Sequence, residues 1–140
     1  MAALPHGEPT GIDCRDPTRL ALFWSELLGR AVTEEHSGPG WASVGSRFDG
    51  QPRLTFQEVS ERKTAKVRLH LDVQVDDVEV GRRQVEELGG RWTDERHDYD
   101  EGVVLVMADP EGHEFCLVQY WRAERPAASR DDARLIRCPG

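Results

Sequence analysis

Residues 16–29 read DPTRLALFWSELLG and carry the strongest helix signal in the chain. Asp16 is a favoured N-cap residue, and Pro17 suits the first helical position, where a missing N–H costs no hydrogen bond. Apolar residues then recur at helical spacing, at Leu20, Phe23, Trp24 and Leu27. Gly29 supplies the left-handed stop that commonly ends a helix. The pattern predicts a helix from Pro17 to Leu28.

A second copy of this pattern follows about 60 residues later, a period too long for a solenoid unit. Asp76 with Glu79 predicts a capping box, and Gly81 falls on the apolar stripe and weakens it. That stripe consists of Val78, Val85 and Leu88. A strand-like run precedes each predicted helix and three such runs follow it. The sequence therefore predicts two copies of one strand–helix–three-strand unit, forming curved half-sheets around a shared cleft.

Alternating polar and apolar residues predict four strands in each copy. They span 11–14, 31–35, 41–45 and 53–59 in the first copy, and 68–75, 91–97, 103–107 and 113–120 in the second. Residues 38–40 and 98–102 have the glycine-containing composition of hairpin connections. The polar stretch 60–66 is predicted to link the two halves. The predicted fold class is α+β with mixed sheets.

Composition limits the partners of the chain. Its 140 residues suit one compact domain or two tightly joined halves. A formal net charge of −8 disfavours nucleic acid and anionic membranes and favours a cationic or metal-bearing small ligand. The same acidity also serves solubility alone. Residues 1–9 are predicted to form an N-terminal arm, residues 10–121 the folded domain, and residues 122–140 a C-terminal tail.

The cysteines and the N-terminus point to a cytoplasmic location. Cys14, Cys116 and Cys138 are an odd set without paired spacing, which predicts no disulfide framework and a reducing compartment. The first residues lack a basic start followed by an apolar core, so no secretion signal is expected. No apolar run approaches the length needed to span a membrane.

Three predicted strands present polar side chains on one face each. His70, Asp72 and Gln74 alternate with apolar residues in one strand. Glu114 and Cys116 share a face of another strand, and Thr55 and Gln57 share a face of a third. Polar faces of this kind either point at solvent or need a ligand or one another to satisfy their hydrogen bonds.

Two of these groups have alternative interpretations. His70 beside Asp72 or Glu114 is a candidate proton-transfer pair, because a carboxylate holds the imidazole tautomer and raises its basicity. The same contact would also serve only to fasten two strands. Cys116 is a nucleophile if its pKa is lowered and inert packing otherwise. Trp24 either belongs to the core or forms an apolar wall of the site.

Three segments, taken in order, resemble the glyoxalase/bleomycin-resistance family, also called the vicinal oxygen chelate superfamily. They are residues 16–29, residues 70–77 and residues 109–118. The Phe115-Cys116-Leu117 ending is similar to that of the glyoxalase-like domain branch. The resemblance covers residues 10–121 and implies paired βαβββ modules around an open, barrel-like cleft. Members include metal-dependent lyases, isomerases and dioxygenases, fosfomycin-modifying transferases, and metal-free proteins that bind and sequester antibiotics.

The resemblance also implies four metal-ligand positions, two from each module. They fall on Pro9, Gln57, His70 and Cys116 of this sequence. Proline cannot ligate a metal, and an amide, an imidazole and a thiol match poorly the oxygen-rich sets that suit Mg²⁺, Mn²⁺ or Fe²⁺. Zn²⁺ accepts Cys with His but normally needs three protein ligands.

A metal-free polar pocket is therefore the predicted site. The predicted ligand-binding residues are Asp13, Trp41, Thr55, Gln57, Asp72 and Cys116, and the predicted catalytic residues are Glu114 and His70. The first predicted function is a small-molecule-binding glyoxalase-like protein that sequesters a toxic or antibiotic ligand. The second is a metal-dependent lyase or isomerase in which His70 and Gln57 hold a divalent metal and Glu114 moves a proton. Family members close their clefts within one chain or between two, so a homodimer is a possible assembly.

Overall fold

The computed structural model describes residues 9–46 and 49–121. Except for Pro9, the predicted N-terminal arm lies outside the described residues, as does the predicted tail, residues 122–140. The chain divides between Thr64 and Ala65 into two compact units, within the predicted linker. These units are called the first and the second module below.

The first module contains one helix and a three-stranded mixed sheet. Its elements are β1 (Thr10–Cys14), α1 (Pro17–Leu28), a short 3-10 helix (Glu34–His36), β2 (Trp41–Val44) and β3 (Leu54–Glu58). The strand order is β1-β3-β2. β3 pairs in parallel with β1 and antiparallel with β2.

The second module repeats this order with a longer sheet. Its elements are β4 (Asp72–Gln74), α2 (Val78–Glu87), β5 (Arg91–Tyr99), β6 (Gly102–Ala108) and β7 (Glu114–Tyr120). The strand order is β4-β7-β6-β5. β7 pairs in parallel with β4 and antiparallel with β6, as β3 does with β1 and β2. The predicted α+β class with mixed sheets is confirmed.

Helix α1 has the predicted caps and core face. The Asp16 carboxylate accepts a hydrogen bond from the Arg19 N–H at 3.1 Å, and Gly29 ends the helix with a φ of 64°. Trp24 is 1% exposed and meets Phe23 edge-to-face at 5.4 Å between ring centroids. The core interpretation of Trp24 is therefore confirmed, because an indole so deeply buried presents no surface to a ligand.

Helix α2 begins one residue later than the predicted capping box. Asp77, not Asp76, is the N-cap, and its carboxylate accepts from the N–H groups of Glu79 and Val80. Gly81 is buried, and a Cβ there would lie 3.1 Å from Cδ1 of Leu117. Glycine on the apolar stripe thus lets α2 approach β7 closely. Within the described residues, neither helix is long and apolar enough to cross a membrane.

The predicted strand at 31–35 is wrong. Val32 forms a single antiparallel bridge with Val44, and a 3-10 helix follows. The Ser37 hydroxyl donates to the Thr33 carbonyl at 2.8 Å and accepts from the Ser43 N–H at 3.0 Å. Backbone hydrogen bonds from the Thr33 N–H to the Ser43 carbonyl and from the Gly45 N–H to the Ala31 carbonyl flank the bridge. Past Thr33 the Ser37 hydroxyl takes the Ser43 N–H, so the pairing with β2 goes no further.

Strand β5 is longer than predicted and contains a bulge. It extends to Tyr99, so the predicted 98–102 hairpin shrinks to a two-residue turn between β5 and β6. The β5–β6 register shifts between Trp92 and Glu95, and Asp94 adopts a φ of +69° there. The Trp92 indole N–H donates to the Glu95 carbonyl at 3.1 Å and spans the bulge. Strand β4, in contrast, is shorter than the predicted strand at 68–75.

The two modules align at a constant offset. The N-caps Asp16 and Asp77 lie 61 positions apart. The same offset carries the parallel pair Ile12–Phe56 onto the pair Val73–Leu117. It therefore matches Pro9, Gly11 and Thr55 of the first module with His70, Asp72 and Cys116 of the second.

Candidate functional site

The first module contains an open cavity of about 780 Å³. Three predicted ligand-binding residues, Trp41, Thr55 and Gln57, lie in its wall. The wall also includes Arg15, Glu58 and Ser60, together with the turn before β2.

Sheet register explains why the three predicted residues meet. Trp41 is the cross-strand partner of Gln57, and Ser43 is the partner of Thr55. Side chains alternate along a strand, so Thr55 and Gln57 lie on the face opposite to buried Phe56. The Thr55 hydroxyl lies 3.0 Å from the hydroxyl of Ser43, which is 1% exposed. This hydrogen bond holds the Thr55 rotamer at the cavity wall.

The turn at residues 38–41 shapes the mouth of the cavity. Gly40 adopts a φ of +81°, a conformation that favours glycine. A Cβ on Gly38 would lie 3.0 Å from Nε1 of Trp41, so the indole packs directly against the turn backbone. Trp41 nevertheless remains 39% exposed and can contact a ligand. This Gly-Pro-Gly stretch was predicted only to be a hairpin connection, not part of a site.

Two opposite charges at the cavity were missed by the sequence analysis. Arg15 follows β1 directly and donates from Nη1 to the Ser60 carbonyl at 3.1 Å. Glu58 ends β3. Parallel neighbouring strands end at the same edge of a sheet, so residues at the two strand ends meet there. The predicted strand ends could therefore have indicated that Arg15 and Glu58 lie near each other.

Asp13 lies outside the cavity wall. It is the register partner of Gln57 across β1 and β3 and is exposed. Asp13 therefore lies on the same sheet face as Gln57. The predicted contact of Asp13 with a ligand stays a prediction.

A second group of functional side chains lies in the second module. One ligating atom from each of His70, Asp72 and Cys116 lies within 4.8 Å of the other two. Asp72 and Cys116 are partners across β4 and β7, and the Cys116 N–H donates to the Leu71 carbonyl at 2.9 Å. The His70 side chain is 24% exposed and that of Asp72 is 45% exposed, whereas Cys116 is fully buried.

His70 and Asp72 lie close together without forming a hydrogen bond. Their Nδ1 and Oδ1 atoms lie 3.3 Å apart, within ion-pair range. His70 Nδ1 is nevertheless buried, and no hydrogen bond of adequate geometry reaches it from the described residues. The contact between the imidazole and the carboxylate is therefore weak, because a misaligned donor and acceptor attract each other weakly.

Cys116 corrects the prediction that the cysteines are unpaired. It is disulfide-bonded, and its partner lies outside the described residues. Cys14 keeps its thiol and is buried. The cysteines form no short spacing motif and their count is odd, so the sequence did not reveal this bond.

Glu114 contacts the segment that leads into β4. Its Oε2 atom accepts a hydrogen bond from the Val67 N–H at 3.0 Å. This contact fastens that segment to β7. A role for Glu114 in proton transfer stays a prediction.

The sequence analysis also missed a histidine–carboxylate pair on β5. His97 Nε2 lies 2.8 Å from Glu95 Oε1, and the imidazole stacks against Tyr99 at 6.5 Å between centroids. The alternation Glu95, His97, Tyr99 was visible but lay partly in the region predicted to be a hairpin. On the same strand, hydrogen bonds from Arg96 lower the pKa of Asp98.

The four family-implied metal positions do not fit a divalent ion together. Pro9 offers no ligating atom, and the Cys116 sulfur is held in a disulfide. Thr55, not Gln57, is the register equivalent of Cys116 in the first module. The residues that do combine several donor types are His70, Asp72 and Cys116.

The repeated module order and the first-module cavity define an α+β protein with a small-molecule-sized site. Residues 10–118 match the sequence model of the glyoxalase-like domain family. The chain belongs to that family, within the glyoxalase-like, vicinal oxygen chelate superfamily.

One relative and two solved structures illustrate the likeness. "Glyoxalase 1" of Caenorhabditis elegans is 27% identical over 115 residues, which cover 76% of this chain but only 40% of that relative. A glyoxalase/bleomycin resistance protein/dioxygenase family enzyme from Burkholderia phytofirmans superposes with a TM-score of 0.61 at 17% identity, covering 81% of this chain and 98% of that one. The fosfomycin resistance protein FosX from Mesorhizobium loti superposes with a TM-score of 0.61 at 14% identity, covering 84% and 93%. At these identities the structural likeness concerns the fold.

Proposed function

We propose that this chain binds a small organic molecule in the first-module cavity and sequesters it. The single observation that carries the proposal is the cavity itself, with Trp41, Thr55 and Gln57 in its wall. Its volume of about 780 Å³ falls within the range of ligand pockets, about 300–1,000 Å³.

The wall chemistry indicates the class of ligand. The exposed Trp41 indole offers a flat apolar surface for stacking. Gln57 provides both a hydrogen-bond donor and an acceptor, and Arg15 and Glu58 provide opposite charges. A polar molecule with one flat or apolar face matches this combination.

A sequestering role is supported by two further observations. The names of the structural neighbours include fosfomycin resistance and glyoxalase/bleomycin resistance. In this chain the family-implied metal set is broken by Pro9, which cannot ligate. Binding without turnover needs only the cavity, so it is the activity that these residues support best.

The test compares two tryptophan variants. Trp41→Ala removes the indole from the cavity wall. Trp121→Ala is the control, because Trp121 lies outside the wall and has a similar exposed fraction, 46% against 39% for Trp41. Calorimetric titration with fosfomycin, bleomycin and a methylglyoxal–thiol adduct identifies a probe that binds the wild-type chain. Trp41→Ala should then weaken binding at least about tenfold, since truncating a central aromatic anchor commonly costs that much.

A second pair of variants tests the polar contact. Gln57→Ala removes the amide from the cavity, and Gln84→Ala makes the same change on exposed α2. Only Gln57→Ala should weaken binding of the probe. Equal affinity in wild type, Trp41→Ala and Gln57→Ala would contradict the proposal, as would the absence of binding by all three probes.

The second candidate function is a metal-dependent lyase or isomerase. The contact between His70 and Asp72 favours it, because it brings an imidazole and a carboxylate donor together. In this function His70 would hold the ion and Glu114 would move the proton. A divalent ion bound by chain purified from metal-supplemented cells, together with turnover of the methylglyoxal–thiol adduct, would support this function. Metal-free, inactive protein would reject it.

A further inference from the structure

The two charged residues of the cavity wall lie on different faces of the first-module sheet. The Val59 N–H donates to the Cys14 carbonyl at 2.8 Å, so the pairing of β1 with β3 continues past the end of β1. Side chains alternate along paired strands, which places Arg15 on the face opposite to buried Cys14. Gln57 lies on the same face as Arg15, because its neighbour Phe56 is buried in the core. Arg15 and Gln57 therefore line the cavity from one sheet face.

Glu58 lies at the mouth of the cavity instead. It follows Gln57, so its side chain leaves the opposite face of β3. Its N–H donates to the Gly40 carbonyl at 2.7 Å, and a Cβ on Gly40 would lie 3.7 Å from Oε2 of Glu58. The carboxylate thus lies against the turn at residues 38–41, whereas Arg15 belongs to the sheet face that lines the cavity.

A backbone contact orients the Arg15 guanidinium. Its Nη1 atom donates to the Ser60 carbonyl at 3.1 Å, and Ser60 also lies in the cavity wall. A guanidinium has five N–H donors and no acceptor, so one carbonyl does not saturate it. The planar fork of these donors matches the paired oxygens of a carboxylate or a phosphonate.

The overall charge of the chain does not decide which ligand charge the cavity accepts. A formal net charge of −8 repels anions at a distance. At physiological ionic strength that repulsion is screened over about 8 Å. Asp13 shares the sheet face of Gln57 but lies outside the cavity wall, so the wall charge on that face is that of Arg15. The local residues therefore favour the opposite ligand charge from the one that composition favours.

Strand order sets the distance that a ligand must span. β1 and β2 flank β3, so their backbones lie about 10 Å apart, with Gln57 of β3 between them. We propose that the first-module cavity selects organic anions, with a flat apolar group stacked on the Trp41 indole and a carboxylate or phosphonate bound by the Arg15 guanidinium. This inference rests on the proposed function and adds the charge of the ligand.

The experiment titrates the full chain with three probes that share a naphthalene ring and differ in charge. They are naphthylacetate, its neutral amide naphthylacetamide, and the cation naphthylethylammonium. Two fused rings with a short arm are long enough to reach from Trp41 towards Arg15. Calorimetry at neutral pH measures each affinity. The carboxylate should bind at least about fivefold more tightly than the amide, and the cation should bind more weakly than the amide.

Variants assign this preference to one side chain. Arg15→Gln should lower the carboxylate-to-amide affinity ratio to about one, because the charged fork is lost. Arg15→Lys keeps the charge without the fork and should retain only part of the ratio, which keeps the test decisive if Arg15→Gln fails to fold. Arg19→Gln is the matched control, since Arg19 is exposed on α1 outside the cavity wall, and it should keep the wild-type ratio.

Three results would overturn the inference. They are a wild-type chain that does not bind the carboxylate, equal affinity for the carboxylate and the amide, and a ratio that falls in Glu58→Gln but not in the Arg15 variants. Failure of the proposed function has a different signature, because Trp41→Ala would then bind as well as the wild-type chain. Equal affinities for all three probes, each weakened by Trp41→Ala, would reject anion selection and leave ligand binding in the cavity supported.

Discussion

The two modules share one strand–helix order but use it for different purposes. In each, the first strand pairs in parallel with the last, and the N-cap aspartates lie 61 positions apart. The first module has three strands and an open cavity, and the second has four strands and a group of ligating side chains. A duplicated fold therefore fixes where strands and helices lie, while the residues at matched positions decide what each copy can bind.

The difference extends into the packing beneath each helix. Leu20 on α1 corresponds to Gly81 on α2 at the same offset. Leu20 is 1% exposed and fills the core of the first module itself. In the second module, Leu117 from β7 occupies the space next to Gly81. At this matched position the first module thus has a helix side chain in its core, whereas the second has only the neighbouring sheet side chain.

The largest effect is expected from Leu20→Ala. Removing this buried side chain should lower the free energy of unfolding by about 2–5 kcal/mol, because it leaves a cavity against the sheet. Leu22→Ala on the same helix is the control, since Leu22 is 56% exposed. Urea denaturation monitored by circular dichroism measures both variants. Equal losses in the two variants would contradict this account of the first-module core.

The next effect concerns the matched position in the second module. Gly81→Leu should lower the free energy of unfolding by about 1–3 kcal/mol, because the added side chain overpacks against Leu117. The double variant Gly81→Leu/Leu117→Ala should recover part of that loss, as judged by the urea midpoint. A gain in stability from Gly81→Leu alone would show that this interface has unfilled space.

A third prediction separates backbone strain from side-chain contact. Gly45 has a φ of +84°, and a Cβ there would collide with the Arg30 guanidinium, which also bonds Asp49 and the Pro52 carbonyl. Gly112 in the second module has a similar φ of +83° and open space around its Cβ position. Both alanine variants should lose about 1–2 kcal/mol from the left-handed backbone. Gly45→Ala should lose more, and equal thermal shifts would reject the Arg30 contact.

The smallest expected effect is on the pH dependence of the free energy of unfolding. Hydrogen bonds from Arg30 hold the pKa of Asp49 below its ordinary value of 3.8. A depressed carboxyl pKa adds stability above the unfolded-state pKa, and that stability is lost as the pH falls through the folded-state value. Asp49→Asn should therefore flatten the dependence of unfolding free energy on pH below about pH 4. Asp98→Asn makes the matched change at the Arg96 pair of the second module, and an unchanged slope in both variants would contradict these assignments.

Local signals in the sequence predicted most of the fold. Helix α1 was predicted with its caps, since Asp16, Pro17 and Gly29 act on their immediate neighbours. The strand at 31–35 was wrong because its pairing with β2 is limited to one bridge, and the Ser37 hydroxyl takes the next N–H, that of Ser43. The start of α2 was wrong by one residue because two adjacent aspartates offer equivalent capping groups.

The candidate sites were only partly predictable for a different reason. Alternation placed Thr55 with Gln57, which lie on one strand, and His70 with Asp72, although His70 precedes β4. The charges at the cavity depend on which strand ends meet, and the spacing of the cysteines did not reveal the disulfide of Cys116. Neither relation is encoded in local spacing. Whether the two modules enclose a common cleft stays a prediction.

The central claim is that the first-module cavity binds a small molecule against the Trp41 indole. Calorimetric titration of the wild-type chain, Trp41→Ala and Trp121→Ala with the probe that binds tests this claim most directly. We predict that Trp41→Ala weakens binding at least about tenfold while Trp121→Ala leaves the affinity unchanged. Equal affinity in all three proteins would contradict the account.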